Sequence, residues 1–279
     1  MYPAGEPGIT TRTLRLATGV AVRVAESGPK DGMPLIMLHG WGASLYMFRH
    51  ALAALPHKSV RVIAVDLRGY GLSDKPRKRG AYTLDAYCAD LDALLDALAL
   101  PRAALVGHSM AGALVLRYAL RRPERVTRLI LINPAGLVPV IYPRLLRVTP
   151  RALALLLHGR LVPRRLIALI LRRLAYGSAA RVTERDIDEY WAPTQLQGYV
   201  YAAHAALHEF NWHPVSDDEA AALSVPSMVI VGTDDQMIRH PLDRARRLAG
   251  STVHAFAGGH CVHEEFPDDV YGAVWEFIR

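Results

Sequence analysis

Short apolar runs, each ending near a glycine or an aspartate, alternate with longer segments of helical periodicity along most of this chain. This alternation is typical of a mostly parallel sheet, because parallel strands need long crossover connections and are apolar on both faces. We therefore predict an α/β fold with a mostly parallel, eight-stranded sheet flanked by helices. The predicted strands cover residues 13–17, 20–26, 35–38, 60–65, 103–106, 129–132, 228–231 and 252–256.

The alternation stops between Pro134 and Pro226, where leucine, alanine and arginine recur at helical spacing. We predict that residues 134–225 form a helical cap, inserted into a discontinuous core domain of residues 1–133 and 226–279. A chain of 279 residues, 51% of them hydrophobic, can bury the core of one such unit and leaves little room for a second independent domain.

Charge and apolar patterning exclude several classes of protein. The net charge is +7, but the arginines are spread along the chain without a basic-aromatic motif, so we expect no nucleic-acid binding. No uninterrupted apolar run approaches the roughly 18 to 20 residues that a membrane span requires. The N-terminus lacks the pattern of a secretory signal, so we expect a cytoplasmic protein.

The two cysteines, Cys88 and Cys261, are too few for a disulfide framework and lack the paired spacing of a structural zinc site. Cys88 lies on the apolar stripe of the clearest predicted helix, which begins after the N-cap Thr83 and ends before Pro101. We therefore expect Cys88 in the core.

The most informative motif follows the strand at residues 103–106, where Gly107-His108-Ser109-Met110-Ala111-Gly112 leads into a helical segment. A serine at the tip of a sharp strand-to-helix turn is a nucleophile elbow, which requires small residues two positions before and after the serine. Gly107 and Ala111 satisfy this requirement, although the fifth position is usually glycine. The backbone N–H of Met110 would lie at a helix N-terminus, where partial positive charge favours an oxyanion.

A second backbone donor is expected after the strand at residues 35–38, in His39-Gly40-Trp41-Gly42. Its glycines allow the backbone to approach a ligand closely. Acyl transfer places negative charge on a carbonyl oxygen, and two fixed N–H groups would stabilise that charge. The role predicted for Trp41 belongs to its backbone N–H, so its indole is free to act as a packing group.

An acid and a base follow the last two predicted strands. The strand at residues 228–231 precedes Gly232-Thr233-Asp234-Asp235, which places carboxylates at the carboxyl edge of the sheet. The strand at residues 252–256 leads to a glycine-rich loop with His260, which can accept a proton near neutral pH if a carboxylate fixes its tautomer. Spacing alone leaves the choice between Asp234 and Asp235 open.

Together these motifs resemble the α/β-hydrolase superfamily, specifically its capped small esterases and hydrolases of ring-fission products, over nearly the whole chain. The resemblance favours Asp235 over Asp234, because the family's acid usually lies three residues beyond the strand-ending glycine, here Gly232. It implies an α/β-hydrolase fold, no cofactor, and the chain order serine, acid, histidine. The implied site residues are Ser109 as nucleophile, His260 as base, Asp235 as acid, and the N–H groups of Trp41 and Met110 as oxyanion donors.

Other positions of the family pattern narrow the chemistry. Some members carry the acid after an earlier strand, but here that position is Asn133. Relatives that open epoxides or dehalogenate use an aspartate in the elbow, and Ser109 argues against both activities. The run from Asp66 to Pro76 resembles a family loop for which we expect a structural role.

We therefore expect a serine hydrolase that cleaves carboxylic esters of apolar acyl or aryl substrates through an acyl-enzyme. A C–C hydrolase of ring-fission dioxo acids would use the same triad, and lactones, thioesters and perhydrolysis also remain open. An alternative of a different class is a ligand receptor that keeps the fold without turnover. The complete triad counts against that alternative.

Arginines dominate the charge of the predicted cap, because residues 139–181 contain nine arginines and no aspartate or glutamate. Such a surface would suit an anionic lipid, an acyl carrier protein or a carboxylated substrate. The plainer interpretation is that the arginines extend to solvent from helices whose leucines cover the site, which favours an apolar substrate. Tyr201, His204 and His208 share one predicted helix and are candidate pocket residues. His204 and His208 have metal-ligand spacing, but no third ligand accompanies them, so we expect no metal site.

Overall fold

A computed structural model describes residues 1–140, 162–238, 245–248 and 250–279 of the chain. These residues form an eight-stranded sheet with the order β1-β2-β4-β3-β5-β6-β7-β8. β2 is antiparallel to β1 and β4, and every other neighbouring pair is parallel, so the predicted α/β class is confirmed. The strands are β1 Ile9–Arg15, β2 Ala21–Ser27, β3 Met33–Leu38, β4 Val60–Val65, β5 Ala103–His108, β6 Val126–Ile132, β7 Ser227–Gly232 and β8 Thr252–Phe256.

The first strand begins four residues earlier than predicted. The predicted span of residues 13–17 is wrong at its end, because the chain turns there: the N–H of Leu16 donates to the carbonyl of Val20, and that of Gly19 to the carbonyl of Leu16. β1 is an edge strand whose residues are mostly exposed. An exposed edge strand does not need the apolar pattern of the buried strands, so the start of β1 could not be recognised from that pattern.

Helices cover both faces of the sheet. They are α1 Arg49–Ala54, α2 Leu84–Ala97, α3 Met110–Arg121, α4 Arg164–Ile170, α5 Glu184–Trp191, α6 Tyr199–Glu209, α7 Asp217–Ala221, α8 Val262–Glu265 and α9 Pro267–Ile278. The Thr83 side chain caps α2 by accepting from the N–H of Ala86, as predicted. Cys88 packs against the core but is only half-buried, so it is less buried than predicted. Among the described helices, none is long and apolar enough to cross a bilayer.

The hydrophobic core lies in two layers, one on each face of the sheet. In β3, Ile36 and Leu38 enter one cluster, while the alternate residues Leu35 and Met37 enter the other. Both faces of a parallel strand are therefore buried, which explains why the central strands are continuously apolar in sequence. The two layers hold the strand ends, and the loops that follow them, in fixed positions.

The described residues between β6 and β7, the inserted segment, contain α4 to α7 and no strand. Arg164 pairs with Glu184 and Asp188 of α5 at 2.8 and 2.6 Å, and Arg172 pairs with Glu184 at 2.7 Å. Part of the predicted basic surface is thus neutralised by acids that follow it in the chain. Four of its arginines, Arg144, Arg147, Arg151 and Arg160, lie outside the described residues. The cap boundaries at residues 134 and 225 stay a prediction.

Candidate active site

The four loops predicted to carry chemistry follow β3, β5, β7 and β8, which are parallel and end at one edge of the sheet. Open α/β sheets place their sites at this edge. Ser109 lies between the end of β5 and the start of α3, in a backbone conformation with φ 53° and ψ −117°. Such a positive φ is strained for a residue other than glycine. Ser109 therefore occupies the sharp turn that the motif predicts.

Close backbone contacts explain the small residues around Ser109. A Cβ atom on Gly107 would lie 2.3 Å from the carbonyl oxygen of Ala111, and one on Gly112 would lie 2.4 Å from the Cβ of Pro134. The side chain of Ala111 itself is fully buried without such a conflict. Alanine at the fifth position of the motif is therefore compatible with the turn, while glycine is required at residues 107 and 112.

The loop after β3 crosses directly over this turn. A Cβ atom on Gly40 would lie 2.9 Å from the Cβ of Ser109, so only glycine permits this approach. His39 braces the loop because its Nδ1 donates to the Gly40 carbonyl at 2.7 Å and its Nε2 accepts from the N–H of Leu67 at 3.1 Å. Burial lowers the pKa of His39, which keeps this ring neutral and suited to both bonds.

The two predicted oxyanion donors are backbone groups at this crossing. Met110 is the first residue of α3, so its N–H has no acceptor within the helix. Trp41 follows Gly40 in the loop that crosses the serine. Both N–H groups therefore lie in segments that contact the turn at residue 109.

Asp235, and not Asp234, contacts the imidazole of His260. The Nδ1 of His260 donates to Oδ2 of Asp235 at 2.7 Å, and both side chains are almost completely buried. Oδ1 of Asp235 accepts from the backbone N–H groups of Met237 and Ile238 at 2.7 and 2.9 Å. Asp234 is exposed to solvent.

These contacts determine the charge of Asp235 and the tautomer of His260. Burial acts to raise the pKa of Asp235, but His260 and the two backbone N–H groups outweigh it and hold the pKa below its ordinary value. Because Nδ1 of His260 donates to a carboxylate, the neutral ring carries its free lone pair on Nε2. That nitrogen is the one able to act as a base.

The backbone of His260 is held by two side chains that the motif analysis did not assign to the site. Asn133, at the end of β6, donates through Nδ2 to the carbonyls of Gly259 and His260 at 3.0 and 2.9 Å, and accepts from the N–H of Gly232 at 2.8 Å. Nε2 of His108 donates to the same His260 carbonyl at 2.8 Å. Asn133 was recognisable as a polar residue ending a central strand, but its partners were not.

His108 lies between two other histidines. Its ring centroid is 4.6 Å from that of His260 and 4.9 Å from that of His263. Burial and then the neighbouring His260 lower the pKa of His108 to about 3. Within the described part of the chain, neither ring nitrogen of the fully buried His263 has a hydrogen-bond partner, and burial lowers its pKa well below the ordinary value. Both rings are therefore neutral.

Helix α6 contacts the loop that crosses the serine. The indole Nε1 of Trp41 donates to the carbonyl of Ala203 at 2.8 Å, and the hydroxyl of Tyr199 donates to the carbonyl of Gly42 at 3.2 Å. The Trp41 side chain thus packs against the inserted segment, and the oxyanion role of its backbone N–H stays a prediction. Tyr199 was missed in the sequence because nothing distinguishes it from Tyr201, the other tyrosine of α6.

The three residues of α6 predicted to line a pocket have different surroundings. The buried ring of Tyr201 packs 6.3 Å from that of Tyr82 and its hydroxyl donates to the carbonyl of Arg77, and its pocket role stays a prediction. His204 is half-buried and His208 is exposed, with ring centroids 4.4 Å apart. For these two histidines the pocket role stays a prediction. In the described ranges, no group of three or more metal-ligating side chains is arranged to hold a metal ion.

Known proteins that are similar to this chain share its fold. The family model for the alpha/beta hydrolase fold matches residues 33–267. The chain is 31% identical to a non-heme chloroperoxidase of Streptomyces lividans, over 88% of this chain and 91% of that protein. It is also 31% identical to a 2-hydroxymuconate semialdehyde hydrolase of Pseudomonas sp. (strain CF600), over 89% of this chain and 86% of that protein. A meta-cleavage product hydrolase from Pseudomonas fluorescens IP01 superposes with a TM-score of 0.76 at 26% identity, covering 95% and 96% of the two chains.

Proposed function

This chain belongs to the α/β-hydrolase fold family, and on that premise we propose that it is a serine hydrolase that cleaves carboxylic esters of apolar acyl or aryl groups through an acyl-enzyme. One observation carries the proposal: a strained serine at a strand-to-helix turn shares a sheet edge with a buried histidine whose Nδ1 is 2.7 Å from a carboxylate. A serine hydroxyl in that setting can be activated by a histidine base that a carboxylate orients.

The proposed reaction begins when Oγ of Ser109 attacks the ester carbonyl carbon and Nε2 of His260 takes the hydroxyl proton. The imidazolium that forms is stabilised by the carboxylate of Asp235, whose lowered pKa keeps it ionised at neutral pH. The carbonyl oxygen becomes an oxyanion that accepts from the N–H groups of Trp41 and Met110. Each such donor contributes roughly 3 to 4 kcal/mol to the transition state.

The tetrahedral intermediate collapses when the C–O bond to the alcohol breaks and His260 returns the proton to the leaving oxygen. Ser109 then carries the acyl group. Water loses a proton to His260 as it attacks this ester, and the second intermediate releases the carboxylic acid and restores the serine hydroxyl. The proposed steps use water, the side chains of Ser109, His260 and Asp235, and the backbone N–H groups of Trp41 and Met110.

An ester with an apolar acyl or aryl group fits the surroundings better than a carboxylated substrate. The aromatic rings of Trp41 and Tyr199 lie where the loop that crosses the serine turn contacts α6. Of the arginines that could hold a carboxylate, Arg164 and Arg172 are already paired with acids of α5. An apolar pocket with a few placed polar groups is the usual form of a small-molecule site.

A second candidate is the hydrolysis of a C–C bond in a ring-fission dioxo acid, and the likeness to a 2-hydroxymuconate semialdehyde hydrolase favours it. The same serine, histidine and aspartate would serve, and an arginine of the insert would bind the substrate carboxylate. A panel of p-nitrophenyl esters of increasing acyl length, assayed beside a ring-fission dienoate, separates the two candidates. Higher kcat/KM on the dienoate than on every ester would overturn the ester proposal.

A fluorophosphonate probe tests the chemistry itself. The wild-type protein should be labelled at Ser109, and both Ser109→Ala and His260→Ala should abolish or strongly slow the labelling. Rapid labelling of His260→Ala would show that another group activates the serine. A wild-type protein that resists the probe would instead favour a ligand receptor built on the same fold.

A further inference from the structure

The loop that carries His260 is fastened to the inserted segment by the carboxylate of Glu265, in the short helix α8. Its Oε1 accepts from the N–H of Gly259 at 2.6 Å and from that of Gly177 at 3.0 Å. Its Oε2 accepts from the N–H groups of Gly177 and Ser178 at 3.0 and 3.2 Å. Glu265 is only 7% exposed, so these bonds are sheltered from water. One buried carboxylate thus joins Gly259, the residue before His260, to Gly177, which lies 88 positions before Glu265 in sequence.

The two backbones that Glu265 joins also touch directly. The N–H of Cys261 donates to the carbonyl of Ala175 at 2.8 Å. A Cβ atom on Gly177 would lie 2.8 Å from the backbone nitrogen of Gly259, and one on Gly259 would lie 2.4 Å from that of Gly177. The glycines at 177 and 259 therefore permit a contact that no larger residue allows without a backbone shift.

Neighbouring contacts reinforce the same junction. Arg181 of the inserted segment donates to the backbone carbonyl of Glu265 and stacks over the ring of Phe266, 4.0 Å from its centroid. Glu264 accepts from the hydroxyl of Tyr190 in α5 and from Arg49. The residues just after the histidine loop are thus anchored to the insert at several points, and Glu265 is the one that reaches back to residue 259.

A carboxylate suits this position because it only accepts hydrogen bonds and here faces three backbone donors. Glutamine at residue 265 has nearly the same shape but only one accepting oxygen, and its amide N–H would point at another N–H. Such a change leaves a buried donor unsatisfied and moves one of the two backbones. A shift of about 1 Å in a catalytic group can cost about 10²-fold in rate.

We propose that Glu265 is a positioning residue for the reaction, which sets the place of His260 at the serine by fastening Gly259 to the inserted segment. The proposal rests on the proposed serine hydrolase function. Asn133 holds the carbonyls of Gly259 and His260, His108 also holds that of His260, and Asp235 holds its ring. Glu265 adds a constraint on the N–H of Gly259, which joins this loop to the inserted segment.

The first test is Glu265→Gln, with Glu189→Gln as the matched control. Glu189 lies in the same inserted segment, and its carboxylate also accepts a backbone N–H, that of Tyr2. It has no contact with the histidine loop in the described structure. Glu265→Gln should slow fluorophosphonate labelling and lower kcat on a p-nitrophenyl ester by about 10- to 100-fold. KM should stay within about threefold, because a displaced base weakens the transition state more than substrate binding. The control Glu189→Gln should match the wild type in labelling rate, kcat and KM.

The second test approaches the junction from its other side. Gly177→Ala adds a methyl group against the backbone of Gly259 and should lower kcat in the same way as Glu265→Gln. Gly272→Ala is the matched control, because a Cβ atom there meets nothing within 4 Å. If the two changes act through one contact, their combined effect in the double variant should be smaller than the product of the single effects.

Hydrogen exchange of the peptide spanning residues 257–263 gives a readout that needs no activity. Glu265→Gln should speed exchange there and leave the segment around Ser109 protected, at a temperature where each variant is fully folded. Wild-type kcat and labelling in Glu265→Gln would overturn the proposal, as would a rise in KM alone. If the wild type is not labelled at all, the serine hydrolase proposal fails, and unchanged exchange would then also remove the structural role of Glu265.

Discussion

Replacing Asp235 by asparagine isolates the orienting carboxylate without removing its volume. Asparagine can keep its oxygen on the backbone N–H groups of Met237 and Ile238, which Oδ1 of Asp235 now accepts at 2.7 and 2.9 Å. Its amide nitrogen then replaces Oδ2 opposite Nδ1 of His260. Because an amide N–H donates, the imidazole must turn its lone pair to Nδ1 and carry its proton on Nε2. The nitrogen that should accept the serine proton is then occupied.

The size of the effect follows from two losses. The wrong tautomer removes general-base catalysis, and the imidazolium no longer has a counter-charge 2.7 Å away in a buried site. In a Ser-His-Asp triad this substitution lowers kcat by about 10⁴-fold. We expect a loss of about 10³- to 10⁴-fold here, equivalent to about 4 to 5.5 kcal/mol of transition-state free energy.

The assay is the second-order rate of fluorophosphonate labelling together with kcat/KM on the best p-nitrophenyl ester. Asp234→Asn is the matched control, because it makes the same chemical change one residue earlier on an exposed side chain. The control should retain wild-type rates. If Asp235→Asn keeps more than a tenth of wild-type activity, the assignment of the acid is refuted. It is also refuted if Asp234→Asn loses more activity than Asp235→Asn.

Three further predictions concern buried contacts around the site. Burial lowers the folded-state pKa of His263. Below about pH 6.5 the unfolded chain therefore binds a proton that the folded chain does not. The free energy of unfolding is highest above that pH and falls as the pH is lowered further. The slope contributed is about 1.4 kcal/mol per pH unit, and His263→Phe should remove it from the acid limb of a denaturation series. Gly112→Ala puts a methyl group 2.4 Å from Pro134 and should cost about 1 to 3 kcal/mol, measured as a lower Tm. Trp41→Phe removes the bond to Ala203 but keeps the backbone donor, so kcat should fall by less than about tenfold.

Each of these has an outcome that contradicts it. An unchanged acid limb in His263→Phe would mean that the ring accepts a proton in the folded protein. A wild-type Tm for Gly112→Ala, compared with Gly272→Ala, would mean that the helix and the loop at Pro134 separate at little cost. A loss of a hundredfold or more in Trp41→Phe would assign catalytic importance to the indole instead of the backbone N–H.

Much of the fold was predictable because its causes are local. Strands β3 to β7 were recognised from apolar runs, since a strand buried on both faces must be largely apolar. The helix after Thr83 was recognised from its cap. β1 was misplaced because an exposed edge strand carries a weaker pattern.

The turn at Ser109 was also determined by the sequence itself. Its geometry follows from the order strand, small residue, serine, small residue and helix, and those neighbours meet within a few residues of one another. Ser109 and His260 could be named because their positions relative to the strands place them at the same edge of a parallel sheet. The choice of Asp235 needed a family resemblance, since two adjacent aspartates have the same spacing.

Only the tertiary structure decided which side chains hold those groups in place. The bond from His260 to Asp235 joins residues 25 apart, that from Asn133 to Gly259 residues 126 apart, and that from Gly177 to Glu265 residues 88 apart. The partner of a buried polar atom is set by which loops converge, and residue order along the chain does not encode that convergence directly. The sequence therefore determined the strands and the turn at Ser109, and the packing of distant loops decided the contacts that hold His260.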